Sequence, residues 1–80
     1  MYYVYILKSQ KDFKYYIGVT NNFNKRFSEH NKGLSKSTKH RQPFILVRLE
    51  KYPNIESAYQ RERFLKKKKS AKIIKKICND

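Results

Sequence analysis

Arg26 and His30 are polar residues on a helical stripe that should be apolar. At roughly 100° per residue, both fall on the same side of a predicted helix as Phe23 and Phe27. An inward histidine is most often a hydrogen-bonded core residue, and an arginine can lay its aliphatic stem on a ring such as that of Phe27. The same two residue types can also bind phosphate and carry a proton. Both interpretations stand at this point.

Glu62 lies at the centre of the apolar stripe of a second predicted helix. Of the three charged residues at positions 61–63, it is the only one expected to face inward. A buried carboxylate is costly unless it is paired, bound to a ligand or open to a cleft. An ion pair at the edge of the core would explain Glu62. In a basic protein, however, this carboxylate would repel phosphate unless a metal ion stands between them.

The charge of the chain indicates a polyanionic partner. Its 20 Lys and Arg against 6 Asp and Glu give a formal net charge of +14 over 80 residues. Such an excess repels itself in the compact state, and a polyanion would relieve that repulsion and release counterions. The basic residues are spread along the chain rather than confined to one amphipathic helix, which favours nucleic acid over a membrane surface.

The elements that must hold these side chains can be predicted from alternation and from capping residues. Strands are predicted over residues 2–7, 15–19 and 44–49. The first helix is predicted between an N-cap at Asn21 or Asn22 and Gly33, the second from 55 to about 69 after Asn54, and a short third one after Ser70. The short polar connection between the first two strands predicts an antiparallel hairpin. The predicted fold class is α+β, a small three-stranded antiparallel sheet flanked by helices in the order β-β-α-β-α-α, forming one domain over residues 1–80.

The first two strands carry tyrosines and a glycine at positions of interest. Tyr5 shares a strand face with Tyr3 and Leu7, and Tyr16 shares a face with Gly18. Aromatic residues favour strands in any protein, so the tyrosines alone indicate little. A glycine inside a strand can allow another group to approach the backbone closely.

Cellular location is predicted from the cysteine and the N-terminus. Cys78 cannot form an intramolecular disulfide, and no cysteine pattern for a metal exists, which fits a reducing cytoplasm. The apolar run at the N-terminus has no basic stretch before it and is too short for a signal or a membrane span. We therefore expect a cytoplasmic protein with no membrane partner.

The ordered set of motifs resembles the GIY-YIG nuclease domain, in its short stand-alone bacterial form. The motifs are Tyr3-Val4-Tyr5, Tyr16-Ile17-Gly18, Arg26 ten residues after Tyr16, His30 four residues further, and Glu62. The similarity runs from residue 2 to about residue 67. In two respects this chain departs from the family: Tyr3 replaces the glycine of the first motif, and no asparagine follows Glu62 closely enough to take a family role.

The resemblance implies hydrolysis of nucleic-acid phosphodiester bonds, most often in DNA, with one Mg²⁺ (or Mn²⁺). Glu62 would hold the metal ion, and Arg26 would bind the non-bridging phosphate oxygens. Tyr5 or Tyr16 would orient or deprotonate the attacking water, with His30 relaying the proton or bonding a tyrosine. An unperturbed phenol has a pKa near 10, so a tyrosine base would need help.

Basic residues on the first helix and the following loop are candidates for binding the phosphate backbone of nucleic acid. They are Lys25, Lys32, Lys36, Lys39, His40 and Arg41, with Ser35, Ser37 and Thr38 as neutral phosphate contacts. Each of them could also be an ordinary solvated side chain.

Three functions are compatible with the sequence. The first is a metal-dependent DNA endonuclease, and the second is a nucleic-acid-binding module of the same fold that cuts poorly or not at all. The third is a small ribosome-associated basic protein, which explains the charge but not the inward polar residues. A homodimer is possible, because dimerisation would extend the grip of so small a chain.

Overall fold

The computed structural model describes residues 1–35, 38–68 and 71–79 and confirms the predicted order of elements. The strands are β1 (Tyr2–Ser9), β2 (Tyr15–Thr20) and β3 (Phe44–Tyr52), and the helices are α1 (Phe23–Asn31), α2 (Ile55–Lys67) and α3 (Ala71–Cys78). The strands form one antiparallel sheet in the order β2-β1-β3. None of the helices within these residues is long and apolar enough to cross a membrane.

All three strands are longer than predicted, because backbone pairing continues beyond their apolar residues, by one residue in β2 and by two or three in the others. β3 continues to Tyr52, which pairs with Tyr2, and β1 continues to Ser9, which pairs with Phe44. α2 ends at Lys67 rather than near residue 69. Lys69 and the predicted cap Ser70 lie outside the described residues.

The helices lie on opposite faces of the sheet, and this decides where a site can form. On one face, α1 packs Phe23 and Phe27 against a cluster that contains Tyr5, Leu7 and Phe44. The other face carries the larger core, formed by Val4, Ile6 and Ile17 with Ala58 and Leu65 of α2 and Ile74 of α3. Side chains of α1 and α2 can therefore meet only around the border of the sheet, and one groove beside β2 is lined by residues of both helices.

Both ends of α1 are capped by residues that the sequence predicts. Asn22 accepts a hydrogen bond from the backbone N–H of Lys25 at 3.2 Å. At the other end, Gly33 has φ of 74°, and the backbone N–H groups of Gly33 and Leu34 donate to the carbonyls of His30 and Glu29. This pattern is a Schellman cap, for which glycine is favoured. The caps define the register of α1 and hence the direction of His30.

Glu50 of β3 connects the sheet to both helices of the larger core. Its carboxylate accepts hydrogen bonds from Arg61 at 2.8 and 3.0 Å, from Arg48 at 2.6 Å and from the Tyr52 hydroxyl at 2.9 Å. Arg48 also donates to the backbone carbonyl of Ile77 in α3. The expectation that Glu62 alone among residues 61–63 turns inward is therefore wrong, because Arg61 is drawn to the sheet by Glu50.

We predict that Glu50 makes stability depend on acid pH. Burial on its own would raise the pKa of Glu50, but the hydrogen bonds from Arg61, Arg48 and Tyr52 outweigh it and lower the pKa from 4.5 to about 2. The folded state thus keeps this carboxylate ionised where the unfolded chain protonates it. The stabilisation is complete above about pH 4.5 and is lost as the pH falls toward 2.

The test is urea unfolding of Glu50→Gln at neutral and at acid pH. At neutral pH the variant should lose about 2–3 kcal/mol of unfolding free energy, because two guanidinium groups lose their carboxylate. It should also lose less stability than the wild type on acidification. Glu56→Gln, at an exposed acid in the first turn of α2, is the control and should cost less than about 1 kcal/mol, as expected for one charge at a helix N-terminus. Equal acid sensitivity of Glu50→Gln and wild type would contradict the prediction.

Candidate functional site

Tyr5 is a buried residue whose hydroxyl lies against the backbone of β2. It pairs with Gly18 across the strands, and a β-carbon placed on Gly18 would overlap the Tyr5 hydroxyl and ring. No side chain other than hydrogen leaves room for the ring there. The predicted close approach at Gly18 is therefore confirmed, and the approaching group is Tyr5 itself.

His30 connects the Tyr5 hydroxyl to a second buried hydroxyl. Its Nε2 atom lies 3.1 Å from the Tyr5 oxygen, and its Nδ1 atom lies 2.7 Å from Oγ1 of Thr38. Burial lowers the pKa of His30, and the charge of Arg26 acts in the same direction. The neutral imidazole has one N–H and one acceptor nitrogen, so it links the two hydroxyls in a chain that can run in either direction.

Thr38 is the functional neighbour that sequence reasoning missed. It was expected to contact phosphate from an exposed loop, but it is fully buried beside His30. No helical or strand period applies to a loop residue, so its sequence position carries no signal of burial.

The Tyr5 hydroxyl is influenced by three other candidate residues. Burial raises the pKa of Tyr5 to about 12, and the nearby Tyr16 and Glu62 act in the same direction, while Arg26 opposes them. These contributions come from β2, α2 and α1. The structure thus brings the five candidates Tyr5, Tyr16, Arg26, His30 and Glu62 to one region.

Arg26 lies at the rim of this region rather than beneath the helix. Its side chain is 46% exposed and forms a 3.4 Å ion pair with Glu29. The nearby Tyr5 hydroxyl raises the pKa of Arg26. The predicted stripe placed the residue on the correct side of α1, but the length of the side chain carries the guanidinium to the surface. There it can meet a phosphate.

Glu62 of α2 is partly buried and forms an ion pair, which was one of its two interpretations from the sequence. Its side chain is 18% exposed, and Nζ of the exposed Lys66 lies 3.4 Å from its carboxylate. A lysine this exposed can move aside, and Mg²⁺ is commonly held by one or two carboxylates together with water and substrate phosphates. The described residues contain no group of three or more His, Cys, Asp or Glu that could hold a metal ion. A metal ion held by Glu62 stays a prediction, and such an ion would need water and the substrate to complete its coordination.

A groove of about 390 Å³ lies beside Arg26 along the edge of the sheet. Its lining includes Thr20 and Asn22 at the end of β2, Lys25 and Arg26 of α1, and Tyr59 of α2. The groove therefore runs from one helix to the other past the β2 edge. Its charged lining residues are Lys25, Arg26 and Glu29.

The residues predicted to bind the nucleic-acid backbone do not share one environment. Lys25 lines the groove, and Lys32, Lys39 and His40 are exposed. Lys36, together with Ser37, lies outside the described residues. Contact of these residues with nucleic acid stays a prediction.

Arg41 is also predicted to contact the nucleic-acid backbone, but the structure shows its guanidinium bonded within the protein. It donates to the Asp12 carboxylate at 3.0 Å and to the Tyr15 carbonyl at 3.3 Å, and it lies over the Phe44 ring. These bonds tie the loop after α1 to the β1–β2 hairpin. Arg41 thus holds the loop that carries Thr38, and its predicted contact with phosphate stays a prediction.

Comparison with known proteins gives one family and close relatives. Residues 1–76 match the family described as the GIY-YIG catalytic domain. A UPF0213 protein of Clostridium perfringens is 47% identical over 68 residues, which cover 84% of this chain and 72% of that protein. A UPF0213 protein of Syntrophus aciditrophicus is 40% identical over 77 residues, 94% of this chain and 87% of that protein. The solution NMR structure of a UPF0213 protein from Bacillus halodurans has a TM-score of 0.61 at 32% identity, covering 99% of this chain and 84% of that chain.

We predict that Gly18→Ala destabilises the protein through Tyr5. The added methyl group would overlap the Tyr5 ring, and overpacking of this kind costs about 1–3 kcal/mol. In a Tyr5→Leu background the same substitution should cost much less, giving a coupling energy of at least about 1 kcal/mol in a double-mutant cycle measured by urea unfolding. Tyr16→Leu is the matched background, in which the cost of Gly18→Ala should persist. Equal costs in the Tyr5→Leu and wild-type backgrounds would refute the packing of Tyr5 on Gly18.

Proposed function

This chain belongs to the GIY-YIG family. From that premise we propose that it is a divalent-metal-dependent endonuclease that hydrolyses the phosphodiester bonds of nucleic acid, with DNA as the proposed substrate. The domain implies a nuclease family and a nucleic-acid substrate. The names of the relatives state no activity, so the reaction is inferred from the domain and from the site. The observation that carries the proposal is the meeting of a guanidinium, a carboxylate, two phenols and an imidazole at one edge of the sheet.

Arg26 is proposed to bind the scissile phosphate. Its guanidinium is exposed at the rim and lines the polar groove, and it forms a 3.4 Å ion pair with Glu29. A planar fork can bond two phosphate oxygens at once and stabilise the charge that develops on them. The phosphate would replace Glu29 as the partner of Arg26.

The two tyrosines are proposed to have different roles. Tyr5 is fully buried and its pKa is raised to about 12, so it holds its proton and orients other groups through its hydroxyl. Tyr16 is only half-buried, and its ring lies 5.0 Å from that of His30. We assign the contact with the attacking water to Tyr16. His30 holds the Tyr5 hydroxyl in place and is backed by Thr38.

Glu62 is proposed to hold one Mg²⁺ or Mn²⁺ ion by its carboxylate. When bound, such an ion polarises the phosphate and stabilises the leaving oxygen. Glu62 reaches the site from α2, on the face of the sheet opposite α1, so phosphate and metal would be approached from two sides of the β2 edge. The carboxylate also offsets the surrounding positive charge where the metal is to bind.

A plasmid-nicking assay tests the reaction. Wild-type protein should nick supercoiled DNA with Mg²⁺ or Mn²⁺ and not with EDTA. Glu62→Gln and Arg26→Lys should each lose about 100-fold or more in rate, because one removes the anionic ligand and the other the planar fork. Glu56→Gln and Arg63→Lys are the controls, since both change exposed residues of α2 and should retain activity. If the wild type leaves supercoiled, branched and single-stranded DNA intact but still binds them, the protein is a binding module of this fold.

The electrostatic part of the proposal predicts steep salt dependence. Affinity for DNA, measured by fluorescence anisotropy in EDTA, should fall linearly on a log–log plot against salt concentration. Lys25→Gln should reduce that slope by about 1, because Lys25 lines the groove beside Arg26. Lys51→Gln, at an exposed lysine of the opposite edge strand β3, should leave the slope unchanged. Affinity that is indifferent to salt would rule out binding through phosphates.

A further inference from the structure

A second groove, of about 520 Å³, begins beside Tyr16 and leads away from the candidate site. It lies between the β1–β2 hairpin and the larger core. Its aromatic and aliphatic lining is formed by Phe13, Tyr15, Tyr16, Ile17, Leu65 and Ile74. Three lysines also line it, Lys14 of the hairpin and Lys66 and Lys68 at the end of α2. Apolar ring surface and several cations in one groove are the two features that nucleotides bind.

Phe13 is the residue of this groove that folding does not explain. Its side chain is 67% exposed, so it stabilises no core. Its φ of 61° lies in the left-handed region, which is unfavourable for a bulky residue and would suit glycine or asparagine. A large ring is thus displayed at the mouth of the groove at a conformational cost.

The ring of Phe13 is associated with a lysine and a second ring. Nζ of Lys8 lies 5.9 Å from the ring centroid of Phe13 and 5.7 Å from that of Tyr15. The turn beneath is held by the backbone N–H of Phe13 bonded to Ser9 and by the Asp12–Arg41 ion pair. The two rings are therefore presented by a braced hairpin rather than by an unsupported loop.

We propose that this groove binds an unstacked nucleotide in a single-stranded part of the substrate. The base stacks on Phe13 or Tyr15, and Lys14, Lys66 and Lys68 contact the flanking phosphates. A base inside a duplex has no open ring face to offer, so the groove selects single-stranded over double-stranded nucleic acid. The inference rests on the proposed nuclease function in one respect. Tyr16 borders both the groove and the candidate site, so a single strand in the groove would lie next to the bond that is cut.

Lys66 connects the two regions. It is the partner of Glu62, and it also lines the second groove. A phosphate in the groove would draw Lys66 away from the carboxylate that is proposed to hold the metal. Occupation of the groove would therefore expose that carboxylate.

Binding in EDTA by full-length protein tests the inference without relying on cleavage. The probes are a fluorescein-labelled single strand of about ten nucleotides, within the usual size of such sites, and a labelled blunt-ended duplex without a loop. Phe13→Gly should weaken binding of the single strand about tenfold, as expected for loss of one stacked base, and change duplex binding by less than about twofold. Since glycine suits the left-handed conformation, the variant should melt no lower than wild type. The matched control is Leu34→Ala, at an apolar residue that is 69% exposed and lines neither groove; it should leave single-strand binding unchanged.

The outcomes separate this inference from the proposed function. If wild type cuts plasmid but Phe13→Gly binds the single strand like wild type, the groove assignment is wrong and the nuclease proposal stands. If wild type fails to cut while Phe13→Gly loses single-strand affinity selectively, the groove assignment holds alone. Two results would show a contact through charge alone and overturn the inference. One is that Phe13→Gly weakens the binding of single strand and duplex equally. The other is that polyglutamate displaces the labelled strand as readily as unlabelled single-stranded DNA does.

Discussion

The candidate site depends on one packing contact, the Tyr5 ring lying on the bare backbone of Gly18. Antiparallel pairing places these two residues opposite each other, and the absence of a side chain on Gly18 lets the hydroxyl reach the β2 side of the sheet. There it meets His30, which is held by the cap of α1 and by Thr38. Any larger residue at position 18 would displace the hydroxyl, and with it the group around which the other candidates are arranged.

The sheet separates the residue proposed to bind phosphate from the residue proposed to hold the metal ion. α1 brings Arg26 to one face, whereas α2 brings Glu62 to the other, and the edge strand β2 is where the two meet. A basic protein can keep a carboxylate near a phosphate site in this way, because the acid approaches from its own side. The Glu50 network holds α2 on the sheet through Arg61, so the neighbouring residues 61 and 62 have separate roles, one in the fold and one in the proposed chemistry.

Helical periodicity correctly predicted the side of the helix on which His30 and Arg26 lie, but it did not predict which side chains are exposed. It placed His30 inward, and His30 is buried. It placed Arg26 on the same stripe, but a long cationic side chain reaches past the stripe to water. It placed Arg61 outward, yet Glu50, eleven positions away in the chain, draws it to the sheet. Pairing between distant residues is invisible to a period calculated within one helix.

By itself, the sequence determined the order of the elements, both caps of α1, the α+β class and the five candidate residues, because alternation, capping and motif spacing are local properties. Only the tertiary structure decided that α1 and α2 lie on opposite faces, that Thr38 is buried against His30 and that Arg41 ties the loop to the hairpin. These features depend on how elements far apart in the chain pack together. A local pattern specifies which side of its own element a residue occupies, but not which residue it meets there.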